Sequence, residues 1–268
     1  MQLKTKDRAK LLMVLELLLL TMLLMMSLGL LAVIKSPPEP LPLPQSTPVP
    51  TAPPPTPYPT PTPTPSPEPT PQLRERTELL TLVNPWNELP EGYEPELSMV
   101  EEEEYVDVRC AEALLTMLDD CRAAGNAPYI CSAYRTMEKQ KYLFNNKIAR
   151  LVASGVSESE APALAARSVA IPGTSEHQLG LAVDIIDFYY TNLDRAQEDT
   201  STQQWLMENC WRYGFILRYP SDKSDVTGII YEPWHYRFVG EDAAAEMYEQ
   251  GLTLEEYLEL YYEPLSAA

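Results

Sequence analysis

Eighteen of the 27 prolines in this 268-residue chain fall between Ser36 and Pro71, many in a Thr-Pro alternation from Thr56 to Thr70. Proline fixes φ and has no backbone N–H to give to a helix or an inner strand, so this stretch contributes nothing to a packed core. It reads as a linker over 35–72, either a semi-rigid polyproline II spacer at about 3.1 Å per residue, reaching on the order of 100 Å, or a tether with no preferred reach. Only the part of the chain after it is long enough to build a domain, and the overall 45% hydrophobic content suffices for a real core there.

The part before the linker is of a different kind. Residues 1–10 carry Lys4, Lys6, Arg8 and Lys10 against Asp7, and an apolar run from Leu11 to Ile34 follows, broken only by Glu16, Thr21 and Ser27. The 18 residues after Glu16 are about the minimum for a membrane span. The run is longer than the apolar core of a cleaved secretory signal, so 11–34 is expected to be an uncleaved signal anchor. Basic residues before the span make 1–10 a cytoplasmic tail by the positive-inside rule. Everything after residue 35 is then outside: a single-pass membrane protein with its domain in the extracellular space.

Formal net charge is −19, and with the first ten residues at +3 the remainder carries about −22. So acidic a chain lacks the basic face a nucleic-acid binder needs. Glu101 to Glu104 read as a solvated run, without the ligand spacing of a calcium loop. Cys110, Cys121, Cys131 and Cys210 form no CxxC pair and flank no histidine, which makes them poor zinc ligands. Cys110 and Cys121 would lie about 16 Å apart along one helix, too far to bridge. Cys121 with Cys131 is the best-placed disulfide by chain proximity, and four free buried thiols are the other reading.

Residues 73–98 read as a connecting arm and 99–268 as the folded domain. A helix is predicted over Val108–Ala124, with Asp107 as N-cap and Gly125 beyond its end. A strand over Pro128–Ala133 follows, then a helix over Met137–Ala153. Ser157 and Glu160 form a capping-box signature for a third helix through Val169. Beyond the loop Pro172-Gly173-Thr174, strands are expected at Leu181–Ile186, Phe215–Arg218 and Ile229–Phe238. A helix at Thr202–Tyr213 and a turn-rich loop at Tyr219–Gly228 separate them. Two short helices close the chain, the last opened by Thr253 and Glu256. Helices early and strands mostly later indicate an α+β fold, a small, mainly antiparallel sheet with flanking helices.

The chain has only two histidines, and each sits in a dense polar motif: His177 in Ser175-Glu176-His177-Gln178-Leu179-Gly180-Leu181-Ala182-Val183-Asp184, His235 in Glu232-Pro233-Trp234-His235. A histidine beside a tryptophan is more often a packed, hydrogen-bonded residue than a ligand. Two such motifs, each with a carboxylate at useful spacing, favour a metal. A catalytic zinc needs three protein ligands and one open position, and His177, Asp184 and His235 make that set. Gly180 allows a tight bend between the first two ligands. Pro233 permits irregular backbone that brings Glu232 beside the metal as general base and acid for an activated water. Arg135, following a strand, suits a substrate carboxylate or a developing oxyanion.

At these residues the chain resembles the VanY-type D-alanyl-D-alanine carboxypeptidases. The matching pieces are Ser132-Ala133-Tyr134-Arg135-Thr136 with Gln140, Pro172 through Asp184, Tyr213-Gly214-Phe215, and Glu232-Pro233-Trp234-His235-Tyr236-Arg237, in the family's order over roughly residues 100–262. The resemblance implies Zn2+ on His177, Asp184 and His235, Glu232 as catalytic base and Arg135 as transition-state contact. It also implies Ser175 and Gln140 in the substrate site, with Trp234 grouped beside them. It further implies the α+β fold shared with lysostaphin-type peptidases and the hedgehog signalling domain. The expected activity is removal of the terminal D-Ala from peptidoglycan stem peptides by a domain facing the cell wall. The alternatives are an L,D-carboxypeptidase acting on tetrapeptide stems, or a zinc-containing wall-binding module without turnover.

Overall fold

The computed structural model describes residues 74–75 and 77–262, so the expected tail, membrane span and linker lie outside the described residues. Among the described residues no helix is long and apolar enough to cross a membrane. The first elements are a 3-10 turn at Glu78–Leu80 and an antiparallel ribbon of Leu97–Met99 (β1) with Tyr105–Asp107 (β2). Asp107 caps the helix Val108–Ala123 (α1), accepting from the Arg109 amide at 3.0 Å as its position before an apolar-periodic run predicts. Pro128–Ser132 (β3) leads to Met137–Ala153 (α2), capped by the Thr136 hydroxyl, which accepts from the Lys139 amide.

The third helix is shorter than expected, Ala161–Ala166 (α3). Pro162 occupies its first turn, where a missing N–H costs nothing. The Ser157–Glu160 contacts fall ahead of it as a separate turn. Its end has a cause too, since the Arg167 carbonyl is taken by the Ile230 amide at 2.9 Å. The remaining elements are Ala182–Asp187 (β4), Ser201–Asn209 (α4) continued by a 3-10 turn to Tyr213, Phe215–Leu217 (β5), Ser224–Thr227 (α5), His235–Phe238 (β6), Glu241–Gln250 (α6) and Leu254–Tyr261 (α7). Thr253 and Glu256 form the expected capping box at α7. The strand expected from Ile229 shrinks to β6. Upstream of it the Glu232 amide donates to the Tyr219 carbonyl, the His235 amide turns back to Glu232, and Pro233 has no N–H to give.

The four-stranded sheet runs β3-β4-β6-β5, antiparallel throughout, as the α+β reading expects. Side chains alternate across it. Val183, Ile185, Tyr236, Phe238 and Phe215 pack with Leu114, Met117 and Leu118 of α1 in the main core. The intervening Asp184, His235 and Arg237 therefore emerge on the opposite face. Leu80 and Val83, in the segment expected to be an arm, are buried in the two core clusters, so that segment is part of the folded unit. The acidic run Glu101–Glu104 is likewise more than a solvated stretch: Glu101 pairs with Arg122, and Glu104 accepts from the Ala133 amide.

One buried ionic network ties these layers. Glu176 Oε1 accepts from Arg218 Nε and from Arg237 Nη1, each at 2.8 Å. Arg218 is also bidentate to Glu255 of α7, and Arg237 Nη2 donates to the carbonyls of Leu79 and Thr81. Removing one partner of a buried pair strands the other charge. Arg237→Met should lower unfolding stability by on the order of 3–5 kcal/mol, measured by chemical denaturation.

All four cysteines are free. Burial pushes the thiols of Cys110, Cys121 and Cys210 up to about 12. Their thiolate fraction at pH 8 is accordingly minute. A chromogenic disulfide reagent should react with these three in the native protein far more slowly than in denaturant, and fast native labelling of any of them would contradict the burial.

Candidate metal centre

His177 sits in the 3-10 turn Glu176–Leu179, which ends at Gly180 in the left-handed region (φ +74°). A glycine is required there: the Asp107 amide donates to the Gly180 carbonyl at 2.8 Å, and a Cβ would lie 3.0 Å from that nitrogen. The end of β3 fixes the histidine from the other side. The Arg135 amide donates to the His177 carbonyl, and His177 Nδ1 lies 2.7 Å from the Ala133 carbonyl oxygen. A carbonyl only accepts, so Nδ1 carries the proton and Nε2 the lone pair.

Asp184 and His235 are brought together by the sheet itself. They are direct partners in the β4–β6 register, with Asp184 Oδ1 3.0 Å from His235 Nδ1. Asp184 Oδ2 lies 3.3 Å from His177 Nε2. One ligand atom from each of the three buried residues falls within 4.8 Å of the others. Burial holds the His177 imidazole down to about 4, so it is neutral at pH 7. A lone pair on Nε2 then faces a carboxylate oxygen, an arrangement that two acceptors adopt when a cation lies between them. The donor set, two imidazoles and one carboxylate opening on a cleft, fits a catalytic zinc.

The cleft has a volume of about 360 Å³, and Ser175, Trp234, Arg135 and Glu232 line it with the three ligands. Arg135 Nη2 donates to Asp184 Oδ2 at 2.5 Å and its Nε to Ser132 Oγ at 2.9 Å, which aims the guanidinium along the metal set. Glu232 Oε2 stands 3.9 Å from His235 Nδ1 and outside the ligand group. The carboxyl groups differ sharply. Burial works against the Asp184 carboxylate, but the positive charge around it, with the Arg135 guanidinium bonded to Oδ2, outweighs burial and holds it well below the usual range. Burial pushes Glu232 up to about 8, where a carboxyl exchanges its proton near neutral pH.

Gln140 is the one expected substrate residue that does not line the cleft. It is fully buried, and its side-chain amide donates to the carbonyl of Ala170 at 2.7 Å, holding α2 to a segment that itself lines the cleft. Three residues at the site were not singled out from the sequence. The Tyr219 ring packs 4.7 Å from the His235 ring, Lys147 lines the cleft, and Glu176 reaches toward His235. Lys147 had a signal, for it lies seven residues after Gln140 on the same face of α2.

A neutral histidine lone pair, a carboxylate and a second histidine around one point, with an unspent carboxyl beside them, make a candidate metal centre on a small antiparallel sheet. The profile of the family described as "VanY: D-alanyl-D-alanine carboxypeptidase" matches residues 103–241. This chain belongs to that family. It is 47% identical over 180 residues to a D-alanyl-D-alanine carboxypeptidase of Enterococcus faecalis, an alignment covering 67% of this chain and 65% of the relative, just under two thirds of its length. Among solved structures, VanYB in complex with D-alanine-D-alanine is 45% identical, with a TM-score of 0.63 over 68% of this chain and 97% of that one. A mutant of the vancomycin-resistance D,D-pentapeptidase VanY in complex with Zn(II) is 46% identical, with a TM-score of 0.62 over 67% of this chain and 98% of the other.

His177→Ala should reduce bound zinc from one equivalent to substoichiometric levels by elemental analysis. Unchanged stoichiometry would remove His177 from the site.

Proposed function

We propose that the chain is a zinc-dependent D-alanyl-D-alanine carboxypeptidase that removes the terminal D-Ala from peptidoglycan stem peptides. The observation that carries this reading is Glu232: a buried carboxyl in the cleft, beside the ligand set but outside it, with its proton affinity raised into the neutral range. His177, Asp184 and His235 would hold the metal. Zinc so held would supply Lewis acidity and positive charge, lowering the pKa of a water toward about 7 and favouring the charged form of a neighbouring carboxyl.

The protein's own groups account for the rest. Glu232 takes a proton from the attacking water at its carboxylate and returns it to the departing amine as the C–N bond breaks. Arg135 lines the cleft, and Ser132 and Asp184 take only its Nε and one Nη2 hydrogen, which leaves further N–H groups to donate. They suit an oxygen on which negative charge develops. Ser175 and Trp234 supply a hydroxyl and an aromatic wall along the same cleft. The same reading puts the domain outside the cell, facing the wall. The basic residues 1–10, the apolar run 11–34 and the proline-rich 35–72 support a single-pass anchor with a spacer.

Glu232→Gln should keep its zinc while releasing D-Ala about 10²–10⁴-fold more slowly. Wild-type rates with zinc retained would remove Glu232 as the base. The substrate is tested with pentapeptide and tetrapeptide stems and mass identification of the released amino acid. Release from the D-Ala-D-Ala pentapeptide is expected, cleavage of the tetrapeptide alone would reassign the enzyme to L,D specificity, and no release from either would indicate a binding module.

A further inference from the structure

Glu176 directly precedes one metal ligand, yet its side chain serves the other. Its Oε1 is held by Arg218 and Arg237, which leaves Oε2 aimed at His235 Nε2 across 3.6 Å. Both atoms are fully buried and neither has a hydrogen-bond partner. Two facing orphans of this kind are rare in folded proteins and ask for an explanation. His235 Nδ1 meanwhile points at Asp184, in the ligand set.

A neutral imidazole has a single N–H, so the partner of one nitrogen decides what the other can do. With its charge fixed by two buried arginines, the Glu176 carboxylate is an acceptor only. We propose that Glu176 is a positioning residue of the metal centre: Oε2 accepts from His235 Nε2–H and thereby selects the tautomer whose Nδ1 ligates a divalent cation. The 3.6 Å separation is longer than an ordinary N–H···O distance of about 2.9 Å, so the bond closes with a shift of the imidazole or the carboxylate. Glu176 does not join the ligands, because the two arginines hold Oε1 away from them. The inference rests on the reading of His177, Asp184 and His235 as a zinc site.

The test is zinc affinity by competition with a chromophoric chelator, on the full-length chain in detergent, comparing wild type with Glu176→Gln. Glutamine keeps the shape and an acceptor for the arginines. It also places an NH2 donor opposite Nε2, which favours the proton on Nδ1. Zinc binding should weaken 10–100-fold with the near-UV circular dichroism unchanged. Affinity within twofold of wild type would overturn the proposal. A wild-type chain that binds no stoichiometric zinc would instead overturn the site reading beneath it. Should Glu176→Gln not fold, nitrogen-15 histidine spectra of the zinc-loaded wild type decide: a slowly exchanging proton on His235 Nε2 is expected, and zinc on Nε2 with the proton on Nδ1 excludes the role.

Discussion

The Arg218–Glu176–Arg237 cluster is the interaction on which the rest of the structure depends. Through it the 3-10 turn that carries His177 is tied to the strand β6 that carries His235. Further bonds extend it to β5, to Glu255 of α7 and to the carbonyls of Leu79 and Thr81. Two arginines against two glutamates leave it near neutral. Such buried ionic groups are weak sources of net stability, because desolvation offsets most of the attraction. Their effect here is geometric. Three of its four members lie within two residues of the cleft: Glu176 beside His177, Arg237 two after His235, Arg218 beside Tyr219. A network that accepts only one arrangement of its hydrogen bonds therefore fixes the spacing of the metal ligands as well.

The sheet adds the second constraint. Antiparallel register sets Asp184 opposite His235, and the β3–β4 pairing shifts register between Ile130 and Ser132, so that Ser132 also pairs with Asp184. Within this frame three carboxyl groups have different fates from different surroundings. Arginines keep Glu176 ionised, Arg135 helps keep Asp184 ionised, and Glu232, with burial dominant and no arginine bonded to it, is free to exchange a proton. Environments that push titratable groups apart assign their roles: one holds the scaffold, one holds the metal, one moves protons.

How much of this was legible in the sequence follows from the range of each interaction. The caps at Asp107, Thr136 and Thr253 are local, and α1, α2 and α7 begin where those residues place them. The ligands were legible because histidine is scarce and both copies stand among carboxylates. The short α3 and the truncated final strand were not, because both depend on bonds between segments apart in sequence, Ile230 to the Arg167 carbonyl and Glu232 to the Tyr219 carbonyl. Gln140 fell within the matched motif but points into the protein, since helix phase places it on the face of α2 that meets Ala170.

Glu176 shows the same limit at the site itself. A glutamate beside a ligand histidine reads naturally as a loop residue or a capping side chain, and spacing gives no reason to think otherwise. What makes it different is the company of Arg218 and Arg237, which arrive from β5 and β6. Both arginines are buried against the carboxylate, and their charge is what keeps it ionised. Their mutual dependence is what turns Oε2 toward His235. Metal ligands can be read from residue types, whereas the groups that orient them are defined only once the strands have paired.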